Sequence, residues 1–470
     1  RVIDANLEGL MHLLSSDVTT DDTWTRRASL HLEDNLASLR SKKAFANIDR
    51  YTKVVTEISH ILDVRARAFA AQVNLNNFQH DNLSPLKSTD LIRSAEHPED
   101  NVFSPYFEKR ISAALDTDSP RIVGFSLNYL SQVLTTFAMI GLIRRVGKDI
   151  KIILGGGLVT SWMRRPGWRN AFTGLVDEFI AGPGEDRILA LSGAESHTEN
   201  TLPDYTPLRH HPYLSPVGIL PFSTSSGCYW SRCSFCPEKA EGNRYTGIPA
   251  EQVPGVLDAL VESNSPGLVH ITDNAMSPGL LTAMSDNHIT VPWYGFSRFT
   301  RHLADGEFCT ALRKSGCVML QLGLESGDQA VLDELGKGIR IDDAAGALAA
   351  LHDAGIATYV YLLFGTPSED EARARKTLDF VAGHSQCIDF LNVSIFNLPR
   401  GSDDSQSLET YDFSDGDLSL YQGFVHPRGW GRNRVRRYLD REFKRHPAVA
   451  RIIRRDPPFF TSNHAPFFKI

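Results

Sequence analysis

The stretch Gly227-Cys228-Tyr229-Trp230-Ser231-Arg232-Cys233-Ser234-Phe235-Cys236-Pro237 decides how this chain is read. Six cysteines are spread over 470 residues, and three of them fall within nine positions here, directly after the strand-like run Ile219–Thr224. Three thiolates form an incomplete ligand set. A cubane iron–sulfur cluster has four irons, and three cysteine ligands leave one iron free to coordinate something else. The alternative is a zinc knuckle, which needs a fourth Cys or His. The nearest downstream candidate, His270, lies 34 residues beyond Cys236, and the pair His210-His211 lies on the far side of the strand. Cys309, Cys317 and Cys387 are scattered on helix-like or strand-like segments and read as buried free thiols.

Around the trio the chain alternates between two periods. Apolar, β-rich runs occur at Ile219–Thr224, Leu268–Asp273, Val291–Phe299, Val318–Glu325, Thr358–Phe364 and Phe390–Phe396. Helical spacing occupies Gln252–Glu262, Gln329–Leu335, Asp342–His352 and Glu369–Val381. Strands separated by helices pair in parallel through right-handed crossovers. Such units curl into a full or partial βα-barrel, with ligands at the carboxyl ends of the strands. The trio follows the first strand, which places it at that mouth. The later strands end in Ile271-Thr272-Asp273-Asn274, Gly295-Phe296-Ser297-Arg298, Leu322-Gly323-Leu324-Glu325-Ser326-Gly327 and Leu363-Phe364-Gly365-Thr366-Pro367. Buried charges need partners, so Asp273, Arg298 and Glu325 are expected to pair with one another or to meet a zwitterionic ligand.

The cysteine spacing resembles that of the radical S-adenosylmethionine (SAM) superfamily, whose signature is C-x3-C-x2-C with an aromatic residue before the last cysteine. Phe235 occupies the aromatic position, but the first gap holds four residues, giving C-x4-C-x2-C. A loop one residue longer costs little in closure entropy. The run Gly323–Gly327 with Val331-Leu332 and Gly336-Lys337-Gly338 resembles the fourth-strand region of cobalamin-type and methylthiotransferase-type members. The resemblance implies a [4Fe-4S] cluster on Cys228, Cys233 and Cys236, with SAM contacted by Phe235, Asp273, Ser297, Arg298, Glu325 and Gly365. It implies reductive cleavage of SAM to methionine and a 5′-deoxyadenosyl radical, with the electron coming from a donor such as flavodoxin or ferredoxin.

Ahead of the barrel, Pro120–Tyr129 reads as a strand running into a loop, and Gln132–Val146 has helical period. Lys151–Leu154 is a strand stopping at Gly155-Gly156-Gly157, and Val176–Ala181 is another stopping at Gly182-Pro183-Gly184-Glu185. Strand, helix, strand and glycines describe a doubly wound α/β domain, in which strand-end glycines let a large ligand approach the backbone. The order resembles the cobalamin-binding domain of B12-dependent radical SAM enzymes. Cobalamin contacts are then expected at Ser126, Leu127, Tyr129, Gly155, Gly156, Gly157, Gly182 and Glu185. The motif Asp-x-His-x-x-Gly, whose histidine ligates cobalt, is absent, which points away from a histidine-on mode. A degenerate domain without cobalamin is the other reading. Arg1–Asn6 looks like the second strand of such a domain, with no first strand ahead of it.

The expected fold is therefore α/β. It places a B12-type Rossmann-like domain at 1–195, a proline-bearing linker at 196–216 and a partial (β/α)6 TIM-like barrel at 217–400, with a C-terminal extension packed on the barrel at 401–470. The linker carries Pro203, Pro207, Pro212 and Pro216. A helical insertion is expected around Tyr51–Gln72 and a polar loop at Ser402–Asp417. Residues 428–455 carry eleven Lys or Arg against Asp440 and Glu442. There Val435, Tyr438, Leu439 and Phe443 give a helix an apolar docking side. The aromatic tail Phe459–Phe468 is expected to pack back on the barrel. A hydrophobic content of 42% supports substantial cores, and no 18-residue apolar run or signal-peptide pattern is present, so a cytoplasmic setting is expected. A net charge of −7 gives no global reason to expect nucleic acid. The expected activity is cobalamin-dependent C-methyl transfer to an unactivated carbon of a small-molecule or peptide substrate. The alternatives are radical rearrangement, cyclisation or ring contraction, and a non-enzymatic zinc or cluster protein that binds an anionic partner.

Overall fold

Arg1–Asn6, read as a strand, opens a helix instead. Asp4 accepts the Leu7 amide at 3.0 Å as an N-cap, and Leu7, Leu13 and Leu14 are buried at helical spacing along Ala5–Ser15. The computed structural model describes residues 1–16, 22–193, 202–412 and 415–470, in two compact units. The first comprises Arg1–Leu36, Lys53–Thr201 and Asp412–Gln422, and the second Ala37–Thr52, Leu202–Tyr411 and Gly423–Ile470. Among the described residues, no helix is long and apolar enough to cross a membrane.

In the first unit, strands β1 (Ala71–Val73) and β2 (Phe78–His80) form an antiparallel hairpin. Strands β3 (Ile122–Ser126), β4 (Lys151–Gly155) and β5 (Glu178–Phe179) form a parallel sheet in that order. Helix Val133–Val146 makes the crossover between β3 and β4 and buries Leu134, Phe137, Ile140 and Ile143. Parallel pairing is what the strand, helix, strand pattern predicts, whereas the doubly wound order is not seen: among the described residues the three strands follow chain order with no reversal. The helix expected around Tyr51–Gln72 is Ile48–Ala66, of which residues 48–52 are counted with the second unit, and Ala71 and Gln72 belong to β1.

In the second unit, β6 (Ile219–Phe222) leads into the cysteine trio. The trio's loop is flanked by an antiparallel pair, β7 (Ser225–Ser226) and β8 (Thr246–Gly247). Strands β9 (Leu268–Met276), β10 (Trp293–Ser297), β11 (Cys317–Glu325), β12 (Ala357–Phe364) and β13 (Phe390–Ile395) complete a six-stranded sheet of order β13-β12-β11-β10-β9-β6. Every neighbouring pair is parallel. Helices Val253–Asn264, Pro278–Ser285, Gly306–Lys314, Ile341–Asp353 and Glu371–Gly383 make the five crossovers. Alternation along the strands sorts the side chains. Val269, Ile271, Leu320, Leu322, Val360 and Leu362 join Leu257, Leu281, Leu312 and Leu348 of the helices in one core. The intervening positions, including Thr272, Tyr294, Gln321, Tyr361 and Asn392, fall on the opposite face.

Three further expectations concern the flanks. Residues 196–201 of the linker lie outside the described residues, and Thr206–Leu208 forms a 3₁₀ turn. Ser402–Asp417 is not all loop: Asp403–Ser407 is a short helix, because Ser402 caps the Ser405 amide. Helix Arg432–Tyr438 continues as a π-helical turn, Leu439–Phe443, and Val435, Tyr438, Leu439 and Phe443 are all buried. The tail packs as its aromatic content requires. Phe45 meets the rings of His464, Phe467 and Phe468 at 5.2–5.5 Å, the Tyr51 hydroxyl meets His464 Nδ1 at 2.9 Å, and the Tyr294 hydroxyl donates to Asn463 Oδ1 at 3.4 Å.

Candidate functional site

The loop after β6 must leave the strand at a fixed angle to present its cysteines, and Asp273 of β9 supplies the constraint. Its carboxylate accepts the Thr224 amide and hydroxyl, both at 2.6 Å, and the Ser225 amide and hydroxyl at 3.2 and 2.7 Å. Asp273 is only 2% exposed. With four donors bound to its two oxygens, it clamps the loop after β6. Further along, the loop is tied to the segment after β11. The Ser234 amide donates to Leu335 O at 3.0 Å, and the Trp230 indole N–H donates to Gly336 O at 2.9 Å. Gly338 has φ +65°, and a Cβ there would lie 2.0 Å from Trp230 Cζ2, so only glycine fits beneath the indole.

Three of the residues expected at SAM gather around the trio. The Arg298 guanidinium lies 4.2 Å from the Trp230 ring centroid, its Nη1 is 3.8 Å from Cys233 Sγ, and its Nη2 donates to Lys337 O. The Lys337 ammonium binds Glu325 Oε1 at 2.8 Å and sits 5.6 Å from the Phe235 ring centroid. Both partners of that ion pair are largely buried. Ser297 is buried, and its hydroxyl donates to Arg298 O at 3.1 Å. Gly365, with φ +80°, donates its amide to Glu369 Oε2 at 2.5 Å and faces Val435. Asp273, Ser297 and Gly365 therefore hold the mouth, whereas Phe235, Arg298 and Glu325 line the cysteine site.

Burial pushes the Cys233 thiol up, with Lys337 and Arg298 opposing. Burial likewise pushes Cys236 up to about 11, against the lowering effect of the Lys239 and Glu238 backbone amides. Among the described residues no three His, Cys, Asp or Glu side chains converge on a single metal ion. His270 lies near the amino end of β9, stacked on Tyr294 with ring centroids 4.2 Å apart. The surroundings of the sulfurs fit a cluster: amides and a guanidinium aimed at them are the hydrogen bonds that thiolate-ligated iron takes up.

Sequence reasoning missed two features. Glu369 is fully buried, and its Oε2 accepts both the Gly365 amide and the Trp430 indole N–H at 2.9 Å, while its Oε1 has no partner. Burial raises its carboxyl to about 7. Beside it, His426 Nδ1 accepts the Arg428 and Trp430 amides, so its Nε2 carries the proton donated to Thr366 O at 2.9 Å. Gly365-Thr366-Pro367-Ser368-Glu369 puts the carboxyl one turn past the strand end, the only signal the sequence offers for it. The second feature is two polar pairs at opposite edges of the sheet, one at β6 and β9 and one on β13. Ser223 and Thr272 share a hydrogen bond of 2.6 Å, and Ser394 donates to Asn392 at 2.7 Å. Period-two counting back from the strand ends identifies these positions.

In the first unit the expected cobalamin contacts gather at the carboxyl edge of the β3-β4-β5 sheet. Ser126, Gly157 and Glu185 are exposed, Gly155 and Gly182 half-buried, and Tyr129 66% exposed. Leu127 is fully buried, with its amide donating to Gly155 O at 2.7 Å, so its side chain faces no ligand. Gly156, at φ +105°, would bring a Cβ within 2.5 Å of the Leu127 backbone, so its glycine serves packing of the two loops. The edge is otherwise open. A Cβ at Gly182 would meet nothing within 4 Å, and Leu130 and Ile188 add exposed apolar surface at 40% and 56%. An open edge with exposed apolar groups and bare backbone fits a large flat ligand.

Residues 222–381 match the Radical SAM superfamily model. This chain contains a radical SAM domain. The six parallel strands and the trio lie in or beside that domain. An uncharacterized methyltransferase of Pyrococcus horikoshii, PH0819, is 22% identical over 299 residues, covering 56% of this chain. The chain spans 64% of the length of that relative. The solved radical S-adenosylmethionine methyltransferase TsrM of Kitasatospora setae, with tryptophan substrate and the SAM analogue aza-SAM bound, shares the fold. Its TM-score is 0.50 at 18% identity, over 72% of this chain and 77% of its own. The cobalamin-dependent S-adenosylmethionine radical enzyme OxsB, solved with aqua-cobalamin, gives a TM-score of 0.47 at 17% identity, over 59% of this chain and 45% of its own.

Proposed function

We propose that this protein is a cobalamin-dependent radical SAM C-methyltransferase. The observation that carries the proposal is the trio Cys228, Cys233 and Cys236 at the carboxyl end of β6, inside a loop clamped by Asp273 and facing buried Arg298 and Lys337. TsrM, which has the same fold, was also solved with cobalamin and a [4Fe-4S] cluster bound, and the open edge of β3, β4 and β5 supports a corrin site here. When bound, the cluster supplies an open iron and an electron for cleaving SAM, and cobalamin supplies the methyl group. The chain's own share is placement. Cys228, Cys233 and Cys236 hold the cluster, and Phe235 with the Glu325–Lys337 pair walls the adjacent space. The exposed hydroxyls of Ser223 and Thr272 and the Asn392 amide offer hydrogen bonds to an uncharged substrate group.

Anaerobic reconstitution tests both cofactors. A brown protein with about four irons per chain is expected, producing 5′-deoxyadenosine from SAM in the presence of a reductant. Replacing Cys228, Cys233 and Cys236 together by Ala should abolish that product. A colourless chain holding one zinc, or persistent cleavage by the triple variant, would overturn the cluster. Incubation with hydroxocobalamin should leave a corrin spectrum on the desalted protein. Its absence, with cleavage intact, would replace methyl transfer by rearrangement, cyclisation or ring contraction.

A further inference from the structure

The first gap of the trio is one residue longer than the superfamily pattern, and the structure shows what the added length accommodates. Ser231 takes φ +45°, a left-handed turn that lets the loop carry a protruding Trp230 before it returns to Cys233. The indole fills the space over Gly338 and is pinned to Gly336 O. The Arg298 guanidinium rests on its ring. Arg298 is therefore held on three sides: by the indole, by Lys337 O and by the sulfur of Cys233. It is only 6% exposed, and among the described residues no carboxylate is bonded to it, because Glu325 is engaged by Lys337. A buried cation needs an opposing negative charge. The group placed to provide one is the Cys233 sulfur as a thiolate ligand.

We propose that Arg298, seated on Trp230, is a tuning residue that raises the reduction potential of the cluster on Cys228, Cys233 and Cys236. Reduction adds one electron, taken from an external one-electron donor, and makes or breaks no covalent bond. A fixed positive charge and an N–H···S bond stabilise the more negative, reduced state. The four-residue gap is the device that supplies the Trp230 platform. The inference rests on the cluster assignment above and moves Arg298 from SAM to the cluster.

The test is an EPR-monitored potentiometric titration of anaerobically reconstituted full-length protein, with iron content measured on each sample. Arg298→Met should reduce the ratio of reduced to oxidised cluster about tenfold at a given potential, a midpoint about 59 mV lower. Arg298→Lys, which keeps the charge, should recover part of the shift, and Trp230→Ala, which frees the guanidinium, should shift the midpoint the same way. An unmoved midpoint in Arg298→Met at wild-type iron content overturns the proposal. So does weaker SAM retention in equilibrium dialysis with the midpoint unchanged, since that assigns the guanidinium to SAM. Should Arg298→Met hold no iron, Trp230→Ala decides, and an unmoved midpoint there overturns the proposal. A wild-type chain that takes up no cluster sinks the cluster assignment as well, whereas a normal cluster with unmoved potentials sinks this inference alone.

Discussion

At the residue scale, strand-end polar residues divide into those that meet a ligand and those that hold the mouth together, and the sequence does not separate them. Asp273 shows why. A carboxylate after a β-strand at a barrel mouth can face a ligand or the free amides of the neighbouring loop, and both choices produce the same local sequence. Here the neighbour's amides win, because Thr224 and Ser225 present four donors at once. Asp273→Ala should strand those donors and cost about 3 kcal/mol, read as a lower urea midpoint, with cluster uptake falling alongside. Asp273→Asn should fall between the two. Glu369 gives a sharper test. Its folded-state pKa of about 7 lies above the ordinary 4.5, so its contribution is full below pH 4.5 and is lost as pH rises through 7. Glu369→Gln mimics the protonated form and removes that loss. The variant should gain on the order of 3 kcal/mol over wild type at pH 8 and nothing at pH 4.5, measured by denaturant titration at each pH. A difference that stays constant with pH would show that Glu369 is not protonated in the fold.

At the element scale, the alternation of β-rich runs with helical spacing made the six strands and their parallel order legible, because each strand buries an apolar face against the helices that follow it. Two elements were not legible. Arg1–Asn6 resembles the second strand of a cobalamin-type domain, although Asp4 and the leucine spacing of the next turns carry the signal of the helix Ala5–Ser15. The association of residues 37–52 with the C-terminal tail depends on contacts more than 400 positions apart, such as Tyr51 with His464, and no local pattern encodes a contact at that separation. The tail is a structural element with its own pH signature. Burial depresses His464 to about 3, so the folded protein keeps it neutral while the unfolded chain protonates it below about 6.5. Its contribution is present above pH 6.5 and is lost as pH falls toward 3, opposite in sign to that of Glu369. His464→Gln should flatten the acid limb of a plot of melting temperature against pH and leave the limb above pH 6.5 unchanged in slope. Phe467→Ala, which empties a buried ring site against Phe45, should cost about 3 kcal/mol at every pH.

At the scale of the whole molecule, each unit presents its own carboxyl edge of a parallel sheet, and the proposed cofactors divide between them: the cluster at the end of β6 and the corrin at the ends of β3, β4 and β5. The residues proposed for each cofactor belong to one unit, so the two cofactors should load independently. Ser126 is exposed at the end of β3, and its only described side-chain partner is Asn128, whose Nδ2 donates to it at 3.1 Å. A tryptophan there adds bulk to the open edge without entering the core. Ser126→Trp should therefore lose hydroxocobalamin, read as the corrin spectrum after desalting, while retaining about four irons per chain. The Cys228, Cys233 and Cys236 triple alanine variant should show the converse, keeping the corrin and losing the iron. Loss of both cofactors in either variant would mean that loading of one site depends on the other. Retention of the corrin by Ser126→Trp would remove the edge of β3 from the cobalamin site.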